Sequence, residues 1–235
     1  MHALTDLKNF NPTKLAVETI TDKDAELNEK YQQTSRPAEP LLFTRGDQMS
    51  NQPINILAIS GSLRKKSSNL TLLRAIIAMA PPHVTVTMYE DMAQLPHFNP
   101  DLDLDDALPL VAHWRNQLKD ADGVLICTPE YAKGVPGTLK NALDWIVSSG
   151  EFVNKPVAVV SASPNPKGGE AAHASLLSTL SMMSAIVVEG GTLTVPLVNK
   201  KLGAGGDIID EETRLRTQHL MHALVGTIDS GSTKL

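Results

Sequence analysis

A β-rich run that opens directly into a polar loop decides the fold of this chain. Residues 54–60 read INILAIS, and residues 61–69 read GSLRKKSSN. The first segment has the length and aliphatic content of a buried strand, and the amphipathic stretch 69–80 beyond the loop has the length of a helix. A strand, a short loop and a helix in this order begin a crossover unit of a parallel sheet.

The same alternation continues toward the carboxyl end of the chain. The predicted strands are 54–60, 84–89, 123–128, 156–161 and a fifth at either 186–188 or 192–195. The predicted helices are 69–80, 105–120, 137–149, 170–185 and 207–227. This pattern predicts an α/β protein with a three-layer, doubly wound sheet of five parallel strands. Ligands of such sheets bind beyond the carboxyl ends of the strands.

The first 52 residues have a different character from this predicted domain of residues 53–235. They carry 6 basic and 8 acidic residues, and the segment TSRPAEP at 34–40 is unsuited to a regular element. We interpret residues 1–52 as a polar, poorly ordered N-terminal extension. Met49, just before the first predicted strand, is a second candidate for the initiating residue.

Composition and charge exclude several function classes. Cys127 is the single cysteine, so an internal disulfide and a zinc site of several thiolates are both excluded, which favours a reducing, cytoplasmic setting. No apolar run approaches the roughly 20 residues of a membrane span, and the start of the chain lacks a signal-peptide pattern. The net charge of −5 offers no basic surface for nucleic acid. We therefore expect neither a membrane nor a nucleic-acid partner.

The loop after the first predicted strand carries groups suited to a phosphate monoester. The amino end of a helix presents unpaired N–H groups to an anion. The lone Gly61 fits neither a P-loop nor a three-glycine dinucleotide fingerprint. An alternative is that Ser68 or Asn69 only caps the helix and that the basic residues 64–66 are solvated. The candidate phosphate ligands are Ser62, Arg64, Ser67, Ser68 and Asn69.

The loop after the third predicted strand suits a flat heterocycle. It reads PEYAKGVPG over residues 129–137. Its prolines stiffen the chain, Gly134 and Gly137 allow close backbone approach, and its backbone amides can hydrogen-bond ring oxygens and nitrogens. The alternative makes Tyr131 a surface anchor and Trp145 a core residue of the third predicted helix.

Together the two loops resemble those of the NAD(P)H-dependent FMN reductases, a flavodoxin-like family that includes azo, quinone and chromate reductases. The family's phosphate loop, Gly-Ser-x-Arg-x-x-Ser-x-Asn, matches residues 61–69, and the resemblance extends over residues 54–200. Two departures stand out, because Ala132 replaces the family's Asn and Gly134 replaces its Ser. The family's second motif is matched at Pro129, Glu130, Tyr131, Pro136, Gly137, Leu139, Lys140, Asn141, Ala142, Asp144 and Trp145.

Two further loops resemble the family. SASPNPKGG at 161–169 ends in the glycine pair that precedes the family's fourth helix, and LPHFNPD at 95–101 is similar to its loop after the second strand. The nearby acidic residues Asp101, Asp103, Asp105 and Asp106 are expected to complement the dipole of the second helix.

The resemblance implies a flavodoxin-like strand order of 2-1-3-4-5, FMN as cofactor and NADPH or NADH as hydride donor. It also implies ping-pong reduction of flavin, quinone, azo or similar small-molecule acceptors, by a homodimer or homotetramer. No catalytic side chain or metal ligand is implied, since the flavin carries the hydride chemistry. The implied cofactor-binding residues are Ser62, Arg64, Ser67, Ser68, Asn69, Pro129, Glu130, Tyr131, Ala132, Gly134, Ser161, Ser163, Gly168 and Gly169.

A non-enzymatic FMN protein, either an electron carrier or a regulatory module, is the alternative function. A carrier is expected to have a strongly acidic face and aromatic walls around the flavin. Residues 53–235 carry 15 basic and 18 acidic residues, a net charge of only −3, and aromatic residues make up 4% of the chain. An open, enzymatic site fits this composition better.

Overall fold

The computed structural model describes residues 53–103 and 108–232. The expectations for residues 1–52, including the one for Met49, lie outside the described residues. Strands and helices alternate along the described chain. The strands are β1 (Ile54–Ser60), β2 (Val84–Met88), β3 (Gly123–Thr128), β4 (Pro156–Ala162) and β5 (Ile186–Val195). The helices are α1 (Ser68–Ile77), α2 (Pro109–Asp120), α3 (Gly137–Asp144), α4 (Glu170–Met182) and α5 (Glu211–Ser232).

All strand pairings are parallel, and the strand order is β2-β1-β3-β4-β5. This confirms the predicted flavodoxin-like sheet. Ser60 pairs with Cys127, and Thr128 pairs with Ser161, so β1, β3 and β4 end side by side. The chain winds in opposite directions from β1 and β3, and the crevice at such a switch point is where doubly wound sheets bind ligands.

The fifth strand contains both of the segments that the sequence offered as alternatives. The pairing with β4 shifts register between Val157 and Val159, which marks a bulge. Gly190 lies in this region with a φ of +74°, and a Cβ placed on it would lie 2.8 Å from His219 Nε2. The glycine therefore allows the irregular strand to pass close to α5.

Helices on both faces bury the centre of the sheet. All six residues of β3 are buried, as expected for an aliphatic strand that is covered on both sides. Leu72 and Leu73 of α1 pack with Leu224 of α5 in one cluster. Cys127 is fully buried, and its burial raises the pKa of the thiol. Trp145 is also fully buried, which confirms the alternative that it is a core residue.

Several predicted helix boundaries were wrong by three to five residues. The α1 helix ends at Ile77 rather than 80, α4 ends at Met182 rather than 185, and α5 ends at Ser232 rather than 227. Local features accompany two further differences. The α3 helix ends at Asp144 rather than 149, and a turn follows in which Gly150 has a φ of +76°. The α5 helix begins at Glu211 rather than 207, because the Asp210 carboxylate accepts hydrogen bonds from the Thr213 N–H (2.9 Å) and hydroxyl (2.5 Å). Among the described helices, none is long and apolar enough to cross a membrane.

Candidate cofactor site

Three loops meet at the carboxyl edge of the sheet, and hydrogen bonds tie them together. We define the first loop as residues 61–67, the second loop as 129–136 and the third loop as 163–169. The Gly61 N–H donates to the Cys127 carbonyl at 2.8 Å, which fixes the start of the first loop against β3. The predicted site residues are therefore brought to one region, although their roles within it differ.

Several polar groups of the first loop have no partner among residues 53–103 and 108–232. Ser67 is the N-cap residue of α1, yet its side chain makes no capping hydrogen bond. The Arg64 side chain is exposed and forms no ion pair within the described parts of the chain. The backbone N–H of Arg64 donates to Ser62 Oγ at 3.3 Å. The Ser67 hydroxyl, the Arg64 guanidinium and the first N–H groups of α1 can thus serve an anion.

Ser68 and Asn69, which were grouped with the loop, lie in the first turn of α1 and bond to the protein. The Asn69 side chain is 4% exposed, and its Nδ2 donates to the Ala162 carbonyl at 2.9 Å. The Cys127 thiol donates to the Asn69 carbonyl at 3.3 Å. Ser68 Oγ donates to Asn199 Oδ1 at 2.6 Å. The Asn69 amide therefore joins α1 to β4, and the expectation that Ser68 or Asn69 caps the helix was wrong, since Ser67 occupies that position.

The second loop forms a tight two-residue turn. The N–H of Tyr131 donates to the Gly134 carbonyl, and the N–H of Gly134 donates to the Tyr131 carbonyl, both at 3.0 Å. Ala132 and Lys133 between them have φ values of 50° and 60°. Two left-handed residues in a two-residue loop are typical of a type I′ turn, for which Asn-Gly is the preferred sequence. The amides of Tyr131 and Gly134 are thus engaged in the turn.

This turn changes the interpretation of the two departures from the family motif. Gly134 does not have a positive φ, and a Cβ placed on it would meet only the Tyr131 carbonyl oxygen, at 3.9 Å. A serine therefore fits at this position, because neither the backbone conformation nor the space around residue 134 requires glycine. Ala132 does need the left-handed conformation, which asparagine adopts more easily than alanine.

Replacing Ala132 with asparagine is expected to stabilise the protein. The left-handed conformation costs roughly 1–2 kcal/mol for an ordinary residue, so the variant should gain up to about 1 kcal/mol in the free energy of unfolding, measured by urea denaturation. Ala204→Asn is the control, because Ala204 lies in an exposed loop without a positive φ. If both substitutions changed the free energy of unfolding equally, the left-handed conformation of residue 132 would not be the source of the gain. A change in FMN affinity would show whether the new amide contacts the ligand.

Buried serines and two left-handed glycines shape the third loop. Ser161 Oγ donates to the Gly168 carbonyl at 3.3 Å, and Ser163 Oγ accepts from the Asn165 N–H at 3.1 Å. Gly168 and Gly169 have φ values of 63° and 85°. A Cβ on Gly168 would lie 3.0 Å from the Pro196 nitrogen, so both conformation and space require glycine there.

Glu130 joins the second loop to the helix that follows the third loop. Its Oε2 accepts from the N–H groups of Ala171 at 2.9 Å and Ala172 at 3.2 Å. Those amides belong to the first turn of α4, whose N-cap residue is a glycine and offers no side-chain acceptor. The carboxylate therefore caps α4 from outside the helix and complements its dipole. Pro129, which precedes Glu130, is buried at the end of β3.

Two residues of the second motif hold the loop after β2. Asn141 Nδ2 and Trp145 Nε1 both donate to the Pro96 carbonyl, at 2.9 Å and 2.8 Å. Asn141 Oδ1 accepts from the Phe98 N–H at 2.7 Å, and the Phe98 and Trp145 rings meet edge to face with centroids 5.0 Å apart. The sequence motif gave no sign of this shared partner, although the spacing of four residues places Asn141 and Trp145 on one helix face.

Asp103 was expected to complement the dipole of α2, but its carboxylate is held by two side chains instead. Its Oδ1 accepts from Nη2 of Arg115 at 2.5 Å, and its Oδ2 accepts from Ser148 Oγ at 2.7 Å. The hydrogen bonds from Ser148 and Arg115 hold the pKa of Asp103 below its ordinary value. Arg115 also donates to the Trp145 carbonyl, so this network supports the same loop after β2. The expectations for Asp105 and Asp106 lie outside the described residues.

The five-stranded sheet defines a flavodoxin-like protein, and the polar loops at its carboxyl edge are its candidate anion-binding site. The NADPH-dependent FMN reductase family matches residues 54–200, more than half of the chain. The chain therefore belongs to this family, and it is an oxidoreductase that depends on FMN and NAD(P)H.

Particular relatives cover most of the described domain. A 2-hydroxy-1,4-benzoquinone reductase from Burkholderia is 33% identical over 172 residues, which are 72% of this chain and 92% of the relative. An NAD(P)H-dependent FMN reductase from Pseudomonas aeruginosa is 32% identical over 173 residues, 73% of this chain and 93% of the relative. The solved structure of FerB, a flavoenzyme NAD(P)H:(acceptor) oxidoreductase from Paracoccus denitrificans, is 28% identical with a TM-score of 0.65. That comparison covers 75% of this chain and 98% of FerB.

Proposed function

We propose that this protein takes hydride from NADPH or NADH through bound FMN and reduces quinones by a ping-pong mechanism. Free flavin and azo compounds are further acceptors in this proposal. The observation that carries it is the set of polar groups in the first loop that have no partner within the described residues, beside the stiff second loop at the switch point of the sheet. The quinone reductase from Burkholderia supports the choice of acceptor.

The residues of the three loops fit FMN by their chemistry. Arg64 and the hydroxyl of Ser67, together with the N–H groups at the start of α1, would bind the phosphate. The second and third loops would hold the isoalloxazine ring through backbone groups, with Tyr131 beside it. When bound, FMN supplies the acceptance and release of hydride. The chain's own residues bind and orient it, and no side chain is assigned as an acid or base.

The proposed order of events follows from the exposure of the site. Tyr131, Ala132 and Lys133 at the tip of the second loop are all exposed. A shallow site would admit the nicotinamide, release it and then admit the acceptor to the same position. A homodimer or homotetramer and a cytoplasmic location belong to the proposal as expectations. Light scattering of the purified protein would measure the oligomeric state.

Anaerobic stopped-flow absorbance of the FMN-loaded protein tests this function. We expect NADPH or NADH alone to bleach the flavin, and a later addition of 1,4-benzoquinone to restore its colour without further donor. Steady-state rates should then be measured against donor concentration at several fixed concentrations of 1,4-benzoquinone. A ping-pong mechanism predicts parallel lines in the double-reciprocal plot. A protein that binds FMN but is bleached by neither donor would be a carrier or a regulatory module instead.

A further inference from the structure

A groove of about 870 Å³ runs along the outside of α1, away from the second and third loops. We call it the α1 groove. One wall is the exposed side of α1, which includes Thr71, Arg74 and Ala75, and the other wall is the segment 202–208 after β5. At one end the groove reaches Lys65, Lys66 and the amino end of α1. The groove is therefore continuous with the first loop but extends beyond it.

The charges that line the α1 groove are mainly positive and mainly uncompensated. Four basic residues line it, whereas Asp207 is the acidic residue among its lining residues. Arg214 is paired with Glu211 at 2.5 Å. Within residues 53–103 and 108–232, the other three basic side chains form no ion pair. These three are Lys65, Lys66 and Arg74. Such a cluster favours an anionic ligand.

The remaining lining is suited to a flat apolar group. Ala75, Ala78, Met79, Leu202 and Ile208 contribute apolar surface. The opposite wall contains Gly203, Gly205 and Gly206, which place bare backbone beside the groove. Gly206 has a φ of +89°, which favours glycine, and a Cβ on Gly203 would lie 2.6 Å from Asp207 Oδ1, so that side chain would have to shift. A purine ring could therefore lie on the apolar surface against this wall.

The size and position of the α1 groove suit the half of the hydride donor that lies far from the nicotinamide. Its volume lies within the range of roughly 300–1,000 Å³ for small-molecule sites. Arg74 follows Ser67 by seven positions, which is about 10 Å along a helix axis. A dinucleotide whose nicotinamide reaches the flavin would extend well beyond the first loop. The α1 groove offers its distant half both cations and an apolar surface.

We propose that the α1 groove binds the adenosine 2′-phosphate half of NADPH, with Arg74 and Lys66 on the phosphate. The groove would then make NADPH a better donor than NADH, which lacks this phosphate. This inference rests on the proposed function, since it names the donor of that reaction. Arg74 acts here in substrate binding and has no part in the chemical step.

The test uses the full chain loaded with FMN and the variant Arg74→Gln. We expect the ratio of KM for NADPH to KM for NADH to rise about tenfold, as for the loss of one charge-assisted hydrogen bond. Arg216→Gln is the matched control, because Arg216 is an exposed arginine of α5 that does not line the groove. It should leave the ratio unchanged.

A binding measurement separates this inference from the proposed function. By calorimetry, adenosine 2′,5′-bisphosphate should bind the wild type about tenfold more tightly than Arg74→Gln, and AMP should bind both proteins weakly. Equal binding of the bisphosphate to both proteins, or an unchanged KM ratio, would overturn the inference. Equally tight binding of AMP and the bisphosphate to the wild type would also overturn it, since the groove would then be a general nucleotide site. Failure of hydride transfer with intact bisphosphate binding would instead refute the proposed function.

Discussion

Replacing Gly61 with alanine is expected to displace the first loop and to abolish tight FMN binding. A Cβ at this position would lie 2.4 Å from Thr128 Oγ1 and 2.9 Å from Thr128 Cβ. The backbone has little freedom to move away, because the Gly61 N–H is bonded to the Cys127 carbonyl at 2.8 Å. Overpacking of this kind typically costs about 1–3 kcal/mol. Urea denaturation and fluorescence titration with FMN would measure the two losses.

Gly137→Ala provides the matched control for this prediction. Gly137 is the first residue of α3, and a Cβ placed on it would have no neighbour within 4 Å. Alanine is also the better helix former, so this variant should keep or slightly increase its free energy of unfolding. If both variants lost similar amounts of stability and FMN affinity, the close approach of Gly61 to Thr128 would not be the cause of the loss.

Replacing Arg64 with alanine is expected to weaken FMN binding by about 10- to 100-fold. A hydrogen bond to a charged group contributes about 1.5–3 kcal/mol, and each 1.4 kcal/mol is a factor of ten in affinity. The free energy of unfolding should change little, because the exposed side chain forms no ion pair within the described residues. Fluorescence titration would measure the dissociation constant.

Riboflavin, which lacks the phosphate, is the control ligand for the Arg64 variant. Its affinity should be the same for the wild type and Arg64→Ala, because the lost guanidinium would act on the phosphate alone. Parallel losses for riboflavin and FMN would indicate a general disturbance of the site. An unchanged FMN affinity would remove the first loop as the phosphate site.

The fold could be predicted because its signals are local. Each aliphatic run is short and each amphipathic stretch is long, and parallel strands bring the loops that follow them to one edge. The register shift in β5 could not be predicted, since it has no local sequence signal and the nearby Gly190 lies against His219 on another helix. The two apolar segments around that glycine consequently resembled separate strands.

The roles of individual polar residues were harder to predict than the location of the site. Asn69 bonds to Ala162, which is 93 positions away, and Glu130 bonds to Ala171, 41 positions away. A polar residue in a loop has the same sequence signature whether it binds a ligand or another loop. The conformation of Ala132 was hidden for a related reason, because alanine rarely adopts a positive φ and gives no sign of a type I′ turn.

The capping of α4 by Glu130 has a consequence for exchanging parts between related enzymes. A second loop transplanted without its acidic residue would leave the N–H groups of Ala171 and Ala172 without their acceptor. A third loop transplanted alone would bring the first turn of α4 without Glu130, the residue of the second loop that caps it. The second loop, the third loop and the first turn of α4 should therefore be exchanged together. Chimeras should place one junction within β3 and the other beyond the first turn of α4.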